Sequence, residues 1–311
     1  MDSQNKLASI LINNYNYAQF VGQAIESALN QTYKNIEVIV VDDGSTDNSR
    51  SVIESFGDRI KAIYKENAGQ ASAFNAGFAA NQGEFIFILD ADDLFLSHKV
   101  EKIIQEFQDN PKANWLFHEL SYIDRLGDSI NINKDSAVLN FELIDLQETL
   151  RKGKKFNYSI PCGLCFRRSL LNQILPMPQA SNIVLSDNYL KFASLALSAG
   201  ILWNEHLAFQ RIHQSNHFTF RDDVQVKASE IGLMTGYYLR EQFPAIALFA
   251  DKVFAKGLGE LIAELGWKQA FKIPEASQYF KNFWSIQDRL KYFPRIGFHC
   301  LRTQLAKHKR K

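Results

Sequence analysis

The chain has 311 residues, 46% hydrophobic and 22% charged, with a formal net charge of +1. Those proportions describe a globular chain with a full core, and they exclude a disordered or collagen-like one. The near-zero charge gives no general attraction to nucleic acid, so no nucleic-acid partner is expected. Three cysteines, Cys162, Cys165 and Cys300, do not make a disulfide framework and fit a reducing cytoplasm. Neither a secretory signal nor an apolar run of about 18 residues is present. The 13% aromatic content is read as core.

In chain order, Leu7–Ile12 is a short apolar run ending in Asn13 and Asn14. Phe20, Val21, Ala24, Ile25, Ala28 and Leu29 then recur at helical spacing. Ile36–Val41 is β-branched and stops at Asp42-Asp43-Gly44-Ser45, with Asp47 placed to cap a helix over Ser49–Phe56. Ile60–Tyr64 predicts a third strand, and Lys65–Gly69 is its exit loop. Ala71–Ala80 is a helix of small residues. Phe85–Leu89 predicts a buried strand running straight into Asp90-Ala91-Asp92-Asp93, and a helix follows over His98–Phe107.

Strand alternating with helix predicts an α/β fold with a mostly parallel sheet flanked by helices. Ligands of such sheets bind beyond the carboxyl ends of the strands. All four polar clusters fall at those ends. If the chain stays extended past Leu89, Asp90 and Asp92 project the same way. Two carboxylates so placed call for a cation, and hard oxygen donors suit Mg²⁺ or Mn²⁺.

Further on, Asp124–Asp128 predicts a hairpin turn, Phe141–Lys152 a helix, Asp187–Leu197 a helix and Ile201–Arg211 a strand. From residue 221 the texture changes to long amphipathic helices over Asp223–Arg240, Ala245–Leu265 and a final basic helix. The expected division is a catalytic domain over 1–220 and a helical extension over 221–311. Cys162-Gly163-Leu164-Cys165 lacks a second pair for zinc and reads as strand. Arg167 and Arg168 read as solvated charges.

The ordered set Asn14-Tyr15-Asn16-Tyr17, Val41–Asp47, Glu66–Ala71 with Asn75-Ala76-Gly77, and Leu89–Asp93 resembles the family-2 glycosyltransferases of the GT-A fold. The likeness is strong over residues 5–110 and weaker to about 220. It implies a GT-A-type, Rossmann-like sheet and an inverting, metal-dependent transfer. A sugar would pass from a nucleotide-diphosphate sugar, by default a UDP-sugar, to a glycan, lipid-linked or other hydroxyl acceptor. It implies that Asp90 contacts the donor's ribose and the metal, and that Asp92 holds Mn²⁺ or Mg²⁺ on the diphosphate. Either Asp42 or Asp43 would read the base, with Asn14, Tyr15, Asn16, Asn67, Gln70 and Asn75 framing the nucleotide sugar.

Departures are visible. Asn13 stands where proline is usual, Asn14 where threonine or serine is, and Phe74 where many members carry arginine. The family's acidic pair at a later helix start matches Ser186-Asp187, which leaves Asp187 as the catalytic base. His213, in Arg211-Ile212-His213-Gln214-Ser215-Asn216, matches a signature that adds a metal or diphosphate contact, and Arg211 is read as a further cation or a surface residue.

The last helix carries Arg295, Arg302, Lys307, Lys309, Arg310 and Lys311 among Ile296, Phe298, Leu301 and Leu305. That pattern suits either an anionic membrane surface or a solvated tip. The expected location is the cytoplasm, with the inner face of the cell membrane the alternative site of peripheral contact. A nucleotidyltransferase and a non-catalytic nucleotide-sugar-binding protein are the rival readings.

Overall fold

The computed structural model describes residues 6–131, 141–154, 163–179, 185–214 and 223–308. The chain divides into two compact units. The first comprises Met1–Leu146, Asn157–Ser181 and Leu197–His213, and the second Gln147–Phe156, Asn182–Ala196 and Gln214–Lys311.

The first unit is built on one ten-stranded sheet. Its opening half runs β1 (Ala8–Asn14), α1 (Val21–Leu29), β2 (Ile36–Asp42), α2 (Ser49–Glu54), β3 (Lys61–Tyr64), α3 (Gln70–Ala80) and β4 (Phe85–Asp90). The short β5 (Leu94–Phe95), α4 (Lys99–Asp109), β6 (Trp115–Ile123), β7 (Ser129–Ile130) and β8 (Phe141–Ile144) follow. In the second unit lies α5 (Gln147–Arg151), after which β9 (Gly163–Arg167) and α6 (Arg168–Ile174) return to the first.

Strand order is β3-β2-β1-β4-β9-β6, then β10 (Gly200–Arg211) and β5. β3, β2, β1 and β4 pair in parallel, as the alternation predicted. β9 enters antiparallel between β4 and β6, while β6 and β10 are parallel. The sheet is therefore parallel in its first half and mixed beyond it.

Alternation within each strand serves two helical layers. Ile10, Ile12, Val38 and Val40 are buried in the cluster that also takes Val21, Ala24, Ile25 and Ala28 of α1 and Val100, Ile103 and Phe107 of α4. On the opposite face α3 lies close. A Cβ on Gly77 would be 3.3 Å from Val41 Cγ2 and 3.7 Å from Leu11 Cδ1. The small residues of α3 thus bring its first turn down onto the strand ends.

Register places Asn14 beside Asp42, and Asn13 beside Asp90. The polar clusters consequently share one edge. The hairpin at Asp124–Asp128 forms as predicted, its turn tied by three amides donating to Asp124 Oδ1. Phe141–Lys152 is not one helix. Its first part is β8, paired antiparallel with β10 (Ile201 opposite Leu143), and only Gln147–Arg151 is helical. Ladder pairing with a neighbouring strand overrides the local helical pattern there.

The second unit holds α7 (Asp187–Leu197), α8 (Val224–Gln242), α9 (Ala247–Leu265), α10 (Trp267–Ala270), α11 (Pro274–Asn282) and α12 (Ile286–His308). Close crossings need glycine. A Cβ on Gly257 of α9 would fall 2.3 Å from Leu233 N of α8. Beneath them Asp251 accepts hydrogen bonds from Tyr279 Oη and Trp284 Nε1, both at 2.8 Å.

A buried lysine sits in the first unit's core. Lys99 Nζ lies 3.4 Å from the centre of the Phe95 ring and has no hydrogen-bond acceptor among the described residues. Burial lowers its ammonium from the ordinary 10.5 to about 8, against a smaller upward pull from Cys165 and Asp93. Between those values the unfolded chain holds the proton and the folded one does not. Stability therefore rises with pH from about 8 toward 10.5. The Lys99→Met protein should lose that rise and be more stable near pH 7 by about 3 kcal/mol, measured by urea unfolding across pH.

Candidate functional site

The site is assembled from loops that leave β1 to β4. Asn14, the last residue of β1, is buried and donates through Nδ2 to Asp42 Oδ1 (2.6 Å) and Ser45 Oγ (3.1 Å). Asp42 also accepts from Ser45 Oγ (2.5 Å) and Ser45 N (3.2 Å). Asn16 takes a positive φ of 59°, a conformation that asparagine tolerates better than most residues. Its Oδ1 accepts from Thr46 N at 2.7 Å and Asp47 N at 3.3 Å. The loops after β1 and β2 are thus fastened together, with Tyr15 half-buried between Asn14 and Asn16.

Asp43 organises the third loop. Its Oδ1 accepts from Lys65 Nζ and Ala68 N, and its Oδ2 accepts from Gly69 N at 2.8 Å. Gly44 has φ +74°, and a Cβ there would lie 2.6 Å from Asn67 N, so only glycine admits this approach. Asn67 is exposed in that loop, and Gln70 opens α3. Among the described residues the buried Oε1 of Gln70, Oδ1 of Asn14 and both ends of the Asn13 carboxamide have no hydrogen-bond partner. From sequence Asn13 was visible only as a departure from proline.

The fourth segment differs from the extended geometry expected of it. β4 ends at Asp90, and Asp93 N donates to Asp90 O at 3.0 Å, closing a turn. Strand periodicity therefore does not carry through to Asp92. Asp90 is exposed, whereas Asp92 is buried with its Oδ2 3.1 Å from His213 Nε2. The His213 ring stands edge-on to Tyr17 (5.7 Å between centres) and tilted against Phe20 (4.6 Å). Loss of hydration, reinforced by Asp92 and Asp90, pushes the Asp93 carboxyl well above the usual carboxylate range.

Arg211 ends β10 and is 1% exposed, which rules out a surface residue, one of the two roles expected of it. Its Nε donates to Asp92 O (3.0 Å), Nη1 to Arg125 O (3.0 Å) and Nη2 to Gln23 Oε1 (2.7 Å), with Phe20 beneath the guanidinium. Its backbone N–H donates to Asp93 Oδ1 at 2.9 Å. The carboxylate turn, the 124–128 hairpin and α1 are all held by this one side chain.

Other expected site residues have different partners. Asn75 exchanges two hydrogen bonds with the Met177 backbone, Nδ2 to O at 2.9 Å and N to Oδ1 at 2.7 Å. Each end of its carboxamide makes one bond to the backbone, so it braces the 175–178 turn. Phe74 is a core residue. Arg167 is half-buried and donates to the Ala113 and Phe107 carbonyls, which replaces the reading of a solvated charge. Cys165 is buried in β9 and its thiol is pushed up to about 12, while Cys162 lies outside the described residues.

In the second unit, Ser186 Oγ accepts from Asn188 N at 3.3 Å and so caps α7. Asp187, next in line, does not cap. Its Oδ2 lies 2.7 Å from Lys191 Nζ one turn on, and its side chain is 31% exposed.

A family model described as glycosyl transferase family 2 matches residues 9–175. An uncharacterized glycosyltransferase of Nostoc sp. is 36% identical over 242 residues, 75% of this chain and 74% of that one. The chain belongs to glycosyl transferase family 2. GlyG, a glycosyltransferase of Streptococcus pneumoniae, is 38% identical over 179 residues, 55% of this chain and 60% of GlyG. An uncharacterized glycosyltransferase of Rickettsia conorii is 38% identical over 56% of this chain, which spans only 30% of that relative's length. Among solved structures, S. aureus TarS 1–349 in complex with UDP-GlcNAc superposes with a TM-score of 0.60 at 15% identity, covering 94% of this chain and 80% of that one.

The protein is thus a glycosyltransferase with a GT-A fold, and its family motifs occupy the strand ends just described. In this family-2 enzyme Arg211 carries the geometry of the carboxylate turn. Arg211→Lys keeps the charge but cannot present the planar fork of donors. The variant should lose about 3 kcal/mol of unfolding free energy, read by denaturant titration, because buried carbonyls lose charge-assisted partners.

Proposed function

We propose that this family-2 glycosyltransferase transfers a sugar, with inversion at the anomeric carbon, from a UDP-sugar to a hydroxyl of a glycan or lipid-linked acceptor. The observation that carries the proposal is the convergence at one sheet edge of Asn14, Asp42, Asp43, Asp90 and the Asp92–His213 pair. UDP is favoured as the carrier because the TarS neighbour was solved with UDP-GlcNAc.

The donor chemistry at the β4 turn fits a divalent ion. Three carboxylates lie within four residues, and burial first, then repulsion from Asp92 and Asp90, raises Asp93 against the opposing pull of Arg211. Among the described residues no three His, Cys, Asp or Glu side chains form a ready-made cage. That agrees with Mg²⁺ or Mn²⁺, which take one or two protein carboxylates and complete their shell with phosphate oxygens and water. Of the expected ligands, Asp92 beside His213, or Asp90, would hold the ion together with phosphate oxygens and water, and when bound it offsets charge on the departing diphosphate.

The chain's own residues do the rest. Tyr15, Asn16 and Asn67 frame the nucleotide beside Asp42 or Asp43. Of the two, Asp42 is the better base reader, because its partners Asn14 and Ser45 are neutral, whereas Asp43 is tied to an ammonium and two loop amides. Gln70 Oε1 and the Asn13 carboxamide supply hydrogen-bonding capacity that the fold leaves unused. Asn75 acts at one remove, holding the Met177 turn. Asp187 accepts the acceptor's proton, and its ion pair with Lys191 sets the carboxylate's direction.

Two substitutions separate these roles. Asp92→Asn should reduce transfer at least 10²-fold and weaken donor binding. Asp187→Asn should keep donor affinity while lowering kcat by 10²- to 10⁴-fold, on the order expected of a lost general base. A transfer assay with a panel of labelled nucleotide sugars, paired with calorimetric donor binding, reads both. Near-normal turnover in either variant would remove that residue from the mechanism.

A further inference from the structure

The second unit carries a surface that the transfer reaction does not use. α12 is 23 residues long and buries Tyr292, Ile296 and His299, with Gly259 of α9 pressed against the Ile296 carbonyl. Its opposite side is bare: Ile286 is 77% exposed, Leu290 72%, Phe298 59%, Leu301 62% and Leu305 63%. Successive spacings of four, eight, three and four residues put these five on one helical stripe, roughly 28 Å long at 1.5 Å per residue. From Arg289 to Lys311 the sequence holds eight Lys or Arg and no Asp or Glu.

Beside the stripe a groove of about 700 Å³ opens between α9 and α12. Phe249, Val253 and Phe298 give it an apolar lining, and Lys154, Lys252, Lys256, Arg295 and Arg302 surround them, with no carboxylate in the lining. Lys252 donates to the Gly153 carbonyl and Lys256 pairs with Glu260 at 3.1 Å. Arg295 Nε is buried without an acceptor. Phe298 belongs to stripe and groove alike, so the two are continuous.

We propose that this face seats the helical unit on an anionic, phosphate-bearing lipid surface. An apolar stripe of this size marks a contact surface, and its basic flank selects an anion. Among the described residues no helix is long and apolar enough to cross a membrane, so the helix lies in the interface plane with its apolar side toward the acyl region. The basic groove takes the lipid phosphates. A second copy is the poorer occupant, because a two-fold contact through the stripe would set the same cationic flank against itself.

The test is flotation of the full chain with vesicles of phosphatidylcholine alone or mixed with phosphatidylglycerol, with sedimentation velocity as a second readout. The wild-type chain should float with the anionic vesicles, far less with the neutral ones, and less at high salt. Leu301→Glu and Arg302→Glu should each lower anionic-vesicle binding at least about tenfold, with circular dichroism unchanged because both side chains are exposed. Equal binding to both vesicle types, or undiminished binding by the variants, overturns the proposal. So does absence of flotation together with a dimer that Leu301→Glu converts to monomer. No donor sugar enters the assay, so its failure leaves the proposed transfer chemistry standing.

Discussion

Arg211 joins segments that lie between 86 and 188 residues from it in sequence. Its guanidinium reaches Asp92 O, the carbonyls of the 124–128 hairpin and Gln23 of α1, and its own amide holds Asp93. Burying a guanidinium is costly unless each donor finds an acceptor, and here backbone carbonyls supply most of them. The arrangement fixes the turn that follows β4 and delivers His213, two residues farther on, against Asp92. Without such a frame the carboxylates of the turn would move apart under their own repulsion.

The parallel pairing of β1 with β2 and β4 supplies the second constraint. It sets Asn14, Asp42 and Asp90 along one edge, and side chains then do the fine work. Asp42 closes the loop after β1 and Asp43 the loop after β3. Two adjacent aspartates that look interchangeable in sequence thus hold different segments, which is why only geometry separates their roles. The second unit is organised by a buried acid instead. Asp251 accepts from Tyr279 and Trp284, and the Tyr279 ring stacks on Phe254 with centres 3.6 Å apart.

Much of this was legible in sequence. The strand–helix alternation of the first hundred residues has strong periodicity and clear stops, and those elements appear where expected. The long helices after Asp223 were equally plain. What stayed hidden depends on partners distant in sequence. Phe141–Ile144 became a strand because β10 offered a ladder. Asp90 and Asp92 could not be placed by alternation because the chain turns between them. For Arg211 the sequence offers both a further cation and a surface residue, because arginine is usually exposed and nothing local announces the carbonyls that enclose it. Asn75 matched a motif position, yet Met177, a hundred residues on, takes its amide.

The central claim is that the turn after β4 grips a nucleoside diphosphate through an ion shared between protein and phosphate. Electron paramagnetic resonance of Mn²⁺ reports this directly, because the sharp signal of the free ion broadens on binding. Titrating the protein with Mn²⁺ should leave most of the ion free, and adding UDP should make binding at least tenfold tighter, since the diphosphate completes the shell. If UDP leaves Mn²⁺ affinity unchanged, or if UDP binds equally well with Mn²⁺ removed by chelation, the carboxylate turn is not the diphosphate clamp described here.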